Sequence, residues 1–299
     1  MIKNIRFAGF IMTYNRGSIL ESTITQIFEQ TFPPEKILVI DNSSDNITKN
    51  LIENLNHSKV FYHSAGYNSG PAGAAKIGLE ILANEGYDWI YWGDDDDPPL
   101  FKDEFQKLLL MARSLKNVGA IGSVGAKFNY NTGLKERFKD KECRGILECD
   151  SIGGNHNLII NAKAVLETGI FPNPDLFFGF EEFEFLQRLK FKGYRIIASG
   201  ESLLKHRIHN DRLNIESTRS IVPKKNIPAL KRDYYSYRNL IYTLHFTFKE
   251  KNLGFKISSR ALMKIPFGYL KGFQYGNLNF KYMVNAVVHS YQKKLGKTY

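Results

Sequence analysis

Cysteine is nearly absent. The chain of 299 residues holds two, Cys143 and Cys149, and their separation matches neither a zinc-ligand nor a redox spacing. That argues against a disulfide-stapled or zinc-centred fold, and the pair reads as free thiols in a reducing compartment. No run of 18 apolar residues occurs, so no membrane-spanning helix is expected. The first apolar strand starts almost at once, leaving no room for a secretory leader and pointing to a cytoplasmic protein. Also missing after that strand are a glycine-rich phosphate loop and a dinucleotide fingerprint, so an ATPase or a dehydrogenase is unsupported. Neither an internal repeat nor a low-complexity stretch interrupts the chain.

What is present is an ordinary globular composition, 43% apolar and 24% charged, in a chain long enough to bury a sizeable core. Its formal net charge of +11 is unevenly placed. Residues 1–230 hold 28 Lys and Arg against 28 Asp and Glu, whereas residues 231–299 hold 13 against 2. The same tail carries 15 of the 40 aromatic residues, among them Tyr234, Tyr235, Tyr237, Phe246, Phe248, Phe267, Tyr269, Phe273 and Tyr275. Basic residues interleaved with aromatic ones suit an anionic membrane surface, with rings at headgroup level and Lys or Arg near lipid phosphates. A helical packing face, or contact with a second copy of the chain, is the alternative. Nucleic acid is disfavoured, although such a surface would also be basic and aromatic.

Upstream of the tail, apolar runs alternate with helical patterns, which predicts an α/β fold with a largely parallel sheet and helices on both faces. Strands are expected at 5–13, 36–40, 60–63, 88–92 and 118–124, and helices at 18–30, 45–55, 71–83 and 101–115. Ser18 reads as an N-cap, with Glu21 completing a capping box, and Pro71 as the opening of its helix. In an open α/β sheet, ligands sit outside the carboxyl ends of the strands. Thr13-Tyr14-Asn15-Arg16, Asp41-Asn42-Ser43-Ser44 and Asp94 to Asp97 should therefore converge on one crevice.

Four consecutive carboxylates, Asp94 to Asp97, follow an apolar strand and stop at Pro98-Pro99. Carboxylates this close raise one another's pKa unless a cation neutralises them. Hard oxygen ligands favour Mg2+ or Mn2+, which keep positions open for substrate phosphates. A diphosphate-linked nucleotide is then the natural ligand. Asp41 can accept from a base or ribose, Asp94 lies near the ribose or the metal, and Asp96 would bind the ion bridging the phosphates.

The combination of Thr13-Tyr14-Asn15-Arg16, Val39-Ile40-Asp41-Asn42-Ser43-Ser44, Asn68-Ser69-Gly70-Pro71-Ala72-Gly73 and the aspartates after Trp92 resembles the inverting family-2 glycosyltransferases with the GT-A fold. The tail from Asp233-Tyr234-Tyr235 is similar to bacterial rhamnosyl- and galactofuranosyltransferase-like members. The resemblance implies a GT-A domain over residues 1–230, with a nucleotide-sugar half at about 1–125 and an acceptor half at about 126–230. Residues 231–299 follow as a helical, membrane-associating segment. It implies that Thr13, Asn15, Arg16, Asp41, Asn68, Asp94 and Asp95 contact the donor. Asp94 and Asp96 would match the metal-binding Asp-x-Asp, with the register Asp95/Asp97 also open. His206 would complete the metal site, with His209 as substitute. Glu182, where most relatives have Asp, would be the catalytic base. Glu181, Gly154 and Asn155 would form the acceptor wall, and Glu184 would be a further contact or a structural carboxylate. The donor would be UDP-galactofuranose or dTDP-rhamnose, and the acceptor a lipid-linked surface polysaccharide at the inner face of the membrane. Two other readings stand beside this one: a metal-dependent sugar nucleotidyltransferase, which would need a basic glycine-rich loop after the first strand, and a non-enzymatic membrane scaffold whose acidic block binds calcium.

Overall fold

The structure, a computed structural model, describes residues 5–215 and 225–299. The chain forms two compact units. The first comprises Met1–Phe128, Lys135–Pro174 and Glu182–Leu213, and the second Asn129–Leu134, Asp175–Glu181 and Asn214–Tyr299.

Strands run in the order β1 (Phe7–Thr13), β2 (Lys36–Asp41), β3 (Val60–Ser64), β4 (Trp89–Asp94), β5 (Val118–Gly122), β6 (Gly125–Asn129), β7 (Leu134–Glu136), β8 (Ile146–Glu148), β9 (Ser151–Ile152), β10 (Leu158–Asn161) and β11 (Arg195–Ser199). The helices between them are α1 (Gly17–Phe28), α2 (Ile47–Leu55), α3 (Gly70–Asn84), α4 (Glu104–Arg113), α5 (Ala162–Thr168), α6 (Glu181–Phe191) and α7 (Gly200–His209). Eight strands build the main sheet of the first unit, ordered β3-β2-β1-β4-β10-β5-β11-β8. Strands β3, β2, β1 and β4 are mutually parallel, as are β5 and β11, while β10 runs antiparallel between β4 and β5. The edge strand β8 is also antiparallel, so the sheet is parallel from β3 to β4 and mixed beyond it.

The seven residues of β1 are all buried because the sheet is covered on both faces. Ala8, Phe10 and Met12 enter one apolar cluster with Leu38, Ile90, Trp92 and α3. Phe7 and Ile11 enter the opposite cluster with Leu20, Ile24, Tyr91 and Phe105. This alternation fixes register, since a slip of one residue would exchange the two sets. It thereby fixes which side chains emerge at the strand ends.

Two local expectations are corrected. Ser18 does not cap α1; the helix begins at Gly17 with Arg16 at the cap position and no side-chain cap bond. The Arg16 side chain is instead drawn to Asp95 and Asp96. Strand β4 continues past Trp92 to Asp94, so the acidic block starts inside the sheet rather than after it. Cys143 and Cys149 are buried free thiols, as expected.

The second unit contains α8 (Ile227–Tyr242), α9 (Lys251–Met263), α10 (Ile265–Tyr269) and α11 (Phe273–Tyr291), with a π-helical turn at Thr243–Thr247. Its core gathers Leu230, Tyr234, Tyr235, Tyr275, Tyr282 and Met283. Several aromatics that the sequence offered to a membrane are therefore interior. They pack around Arg238, which is fully buried and donates to the carbonyls of Leu176 at 2.9 Å and Gly296 at 2.8 Å. Its guanidinium lies over the rings of Tyr234 and Tyr235. Asn239 holds the segment before α6, donating at 2.8 Å to the carbonyls of Leu176, Phe178 and Gly179. Among the described residues no helix is long and apolar enough to cross a membrane.

Candidate active site

The parallel registers place Thr13 opposite Asp41 and Met12 opposite Asp94, so the carboxyl ends of β1, β2 and β4 coincide. Asp95 is buried and tied to this junction. Thr13 Oγ1 donates to its Oδ2 at 2.7 Å, Arg16 Nη1 to its Oδ1 at 3.3 Å, and Thr23 Oγ1 to its backbone carbonyl at 2.7 Å. Arg16 also pairs with Asp96, and the two carboxylates hold the guanidinium above its ordinary pKa. Burial raises the Asp95 carboxyl, against the pull of Thr13 and Arg16.

Asp41 is fully buried. Its Oδ1 accepts from the Ser43 N–H at 2.8 Å and its Oδ2 from the Tyr62 hydroxyl at 3.2 Å. Burial and then Asp41 itself raise the Tyr62 pKa. The Asn15 N–H donates to Ser43 Oγ at 2.8 Å from a left-handed backbone with φ of 56°, which asparagine tolerates better than most residues. Asn42 Oδ1 accepts from the N–H and hydroxyl of Ser69, and Asn68 Oδ1 accepts from the Gly70 N–H at 3.1 Å at the start of α3. The Thr13, Asp41 and Asn68 segments thus form one hydrogen-bonded rim. Thr13, Asn15, Arg16, Asp41, Asn68, Asp94 and Asp95 all lie on it or beside it.

The other wall carries Glu182, on the first turn of α6. Its Oε1 accepts the Gly154 N–H at 3.0 Å. A Cβ on residue 154 would lie 2.9 Å from Trp92 Nε1 and 3.4 Å from Glu182 Oε1, so only glycine lets this backbone approach. Asp94 is pushed up to about 7, first by burial and then by the charge of Glu182, with Asp96, Asp95 and Asp97 adding to it. Asp97 is pushed up to about 6 by burial and Asp96, against an opposing pull from His206. Glu182 and the aspartates that end β4 therefore share one field. Asn155 is exposed beside Gly154, and its carbonyl lies 2.6 Å from His156 Nδ1; burial lowers the His156 pKa. Glu181 is buried and belongs to the second unit. Glu184 is a structural carboxylate: Arg188 Nε and Nη2 grip it at 2.7 and 2.8 Å, and Nη2 also donates to the Phe171 carbonyl.

His206, on α7, has its Nε2 3.4 Å from Glu104 Oε1. Phe101 separates it from His209, meeting each ring edge-on. Among the described residues, no three His, Cys, Asp or Glu side chains are gathered around one ion position, so His206 does not converge with Asp94 and Asp96 in this structure. The residue types nonetheless suit a hard cation: Asp94 and Asp96 offer carboxylate oxygens at the end of β4, and the repulsion that helps to raise Asp94 and Asp97 is what a divalent ion would relieve.

Sequence reasoning missed the buttress behind this site. Buried Glu104 accepts a short hydrogen bond from Ser123 Oγ, which in turn accepts from Asn157 Nδ2 at 2.9 Å. The Ser123 N–H donates to the His156 carbonyl at 2.9 Å. These bonds connect α4 to the turn that presents Gly154. Glu104 sits in a helical pattern like any surface glutamate, and only its burial distinguishes it.

The fold is that of the GT-A class of glycosyltransferase structures. Residues 10–158 match the family described as Glycosyl transferase family 2. Among curated proteins it is 31% identical over 95 residues to the GalNAc(5)-diNAcBac-PP-undecaprenol beta-1,3-glucosyltransferase of Campylobacter jejuni, covering 31% of this chain and 30% of that one. It is 26% identical over 104 residues to the galactofuranosyltransferase GlfT1 of Mycolicibacterium smegmatis, covering 35% and 34%. The chain thus spans about a third of the length of each curated relative. Among solved structures, the mannosyltransferase PcManGT of Pyrobaculum calidifontis, in complex with GDP-Man and Mn2+, superposes with a TM-score of 0.53 at 14% identity, over 97% of this chain and 88% of that one.

Proposed function

We propose that this chain transfers a sugar, galactofuranose or rhamnose before others, from a UDP- or dTDP-linked donor to a hydroxyl of a lipid-linked surface polysaccharide, with inversion, at the inner face of the membrane. The observation that carries the reading is that Glu182 Oε1 accepts the Gly154 N–H at 3.0 Å while the Gly154 backbone abuts Trp92 of β4, the strand that ends in Asp94. Asp41 reads the nucleoside, and Thr13, Asn15, Arg16 and Asn68 shape the rim that holds it. Asp95 is buried and held by Thr13 as well as Arg16, so Asp94 and Asp96 serve as the metal ligands, with Asp96 giving up its contact to Arg16 for the ion. Mn2+ or Mg2+ held there would supply positive charge to the departing diphosphate.

Glu182 then works as general base. One oxygen is fixed by the Gly154 N–H, and the other takes the proton of the acceptor hydroxyl as the new bond to the anomeric carbon forms. The bond from that carbon to the diphosphate oxygen breaks on the opposite side, and its electron pair leaves with the nucleoside diphosphate. Gly154 and Asn155 form the wall against which the acceptor sugar lies. Support for a lipid-linked acceptor comes from the Campylobacter jejuni relative, whose name describes an undecaprenol-linked one, and from the basic tail.

The test is incubation with UDP-, dTDP- and GDP-sugars and Mn2+, with and without a lipid-linked acceptor. Release of nucleoside diphosphate that is lost in Glu182→Gln supports the reading. Pyrophosphate release would indicate nucleotidyl transfer instead, and neither product would leave the transferase reading without support.

A further inference from the structure

The second unit exposes an apolar ridge over residues 262–273. Leu262, Met263, Phe267, Tyr269, Leu270 and Phe273 all face solvent, with Met263 62%, Leu270 60% and Phe273 82% exposed. Six large apolar groups in twelve residues are more than a water-facing surface carries by chance.

The ridge is built, not frayed. A Cβ on Gly268 would fall 2.6 Å from Asn279 Nδ2, and one on Gly276 2.3 Å from the Tyr269 ring, so α10 lies against α11 at glycine-only distance. Asn279 Nδ2 donates to the Lys264 carbonyl at 3.2 Å, and the Tyr269 hydroxyl to Asn277 Oδ1 at 3.0 Å. The inner side of α10 is thereby used up by small and polar contacts, and its large apolar groups are left outward.

Charge says what covers them. Residues 251–299 contain nine Lys and Arg and no Asp or Glu. Lys264 and Lys271 stand within the ridge, their ammonium groups over the rings of Tyr237 and Tyr275 at 4.9 and 5.1 Å. Apolar groups flanked by such lysines match an anionic lipid surface, where the rings and Leu270 pass the headgroups while the lysines stay among the phosphates. A second copy of the chain, paired across a two-fold axis, would bring like charges together with no acidic residue from this region to offset them.

We propose that residues 262–273 are the face through which the second unit docks on an anionic bilayer, with Phe267, Leu270 and Phe273 entering it. The inference deepens the membrane partner of the function proposed above and rests on that reading. Flotation of the full chain with phosphatidylcholine vesicles, with and without phosphatidylglycerol, tests it. Wild type should float only with the anionic vesicles. The variant Phe267→Ser/Leu270→Ser/Phe273→Ser should lose at least about a hundredfold in partitioning without a lower melting temperature. Lys264→Glu/Lys271→Glu should lose several-fold at low salt and less at high salt.

Unchanged flotation of the serine variant would overturn the proposal. So would absence of flotation combined with a wild-type dimer that the serine variant abolishes, because that outcome assigns the ridge to self-association. Donor binding measured by calorimetry without lipid follows the transferase reading separately. Intact donor binding with no flotation would sink the docking face alone.

Discussion

Replacing Asp94 by asparagine should stabilise the metal-free protein at alkaline pH. The Asp94 carboxyl is raised from 3.8 to about 7 in the folded state, chiefly by burial and then by Glu182. Its contribution to stability is fully present below the unfolded pKa near 4. It is lost as pH rises through about 7, because the unfolded chain ionises first. At about 1.4 kcal/mol per pKa unit, the ceiling is roughly 4 kcal/mol. Access of water to this partly buried group brings the expected gain for Asp94→Asn to about 2 kcal/mol, or roughly 4–8 °C in a unit of this size. Calorimetry in chelator between pH 5 and pH 8 should show the gap between variant and wild type opening with pH and levelling above the folded pKa. Added Mn2+ should raise the wild type alone. A gap that is flat or closes as pH rises would refute the charge-crowding argument.

Other consequences follow from named contacts. Glu182→Gln should lower transfer by about 10²–10⁴-fold while leaving nucleotide affinity unchanged in titration calorimetry; loss of binding instead would mean a donor-side role. Gly154→Ala drives a Cβ against Trp92 Nε1 and towards Glu182, and a displacement of the base by about 1 Å should cost about 100-fold in kcat, with the melting temperature little changed. In the second unit, Asn239→Ala removes the donor to the carbonyls of Phe178 and Gly179 and leaves that of Leu176 to Arg238 alone, and should destabilise by about 2–4 kcal/mol in denaturant titration. A loss below about 0.5 kcal/mol would show that water replaces those bonds.

The donor half was legible because its signals are local. Full burial of β1 leaves a run such as Phe7–Thr13 with no polar interruption until Thr13, and the acidic tetrad follows its strand directly. Strand order then brings Asp41 and Asp94 together without further information. The Asp95–Thr13–Arg16 knot was not legible, because it depends on which way each aspartate turns at the end of β4. That same knot explains the failed expectation at Ser18: Arg16, held by carboxylates, fixes where α1 begins. The Glu104–Ser123–Asn157 buttress joins residues far apart in the chain, and no spacing rule reports such bonds. In the tail, composition alone could not separate Tyr234 and Tyr235, which surround buried Arg238, from Phe267 and Phe273, which face solvent. Only packing divides those aromatics between core and surface.

The central claim is that the aspartates ending β4 hold a cation-bound nucleotide diphosphate opposite Glu182. Titration calorimetry of UDP, dTDP and GDP, each with and without Mn2+, into wild type and Asp96→Ala tests it most directly. The account predicts binding that Mn2+ strengthens at least about tenfold in wild type and does not strengthen in the variant. Affinity indifferent to both the metal and the substitution would contradict it.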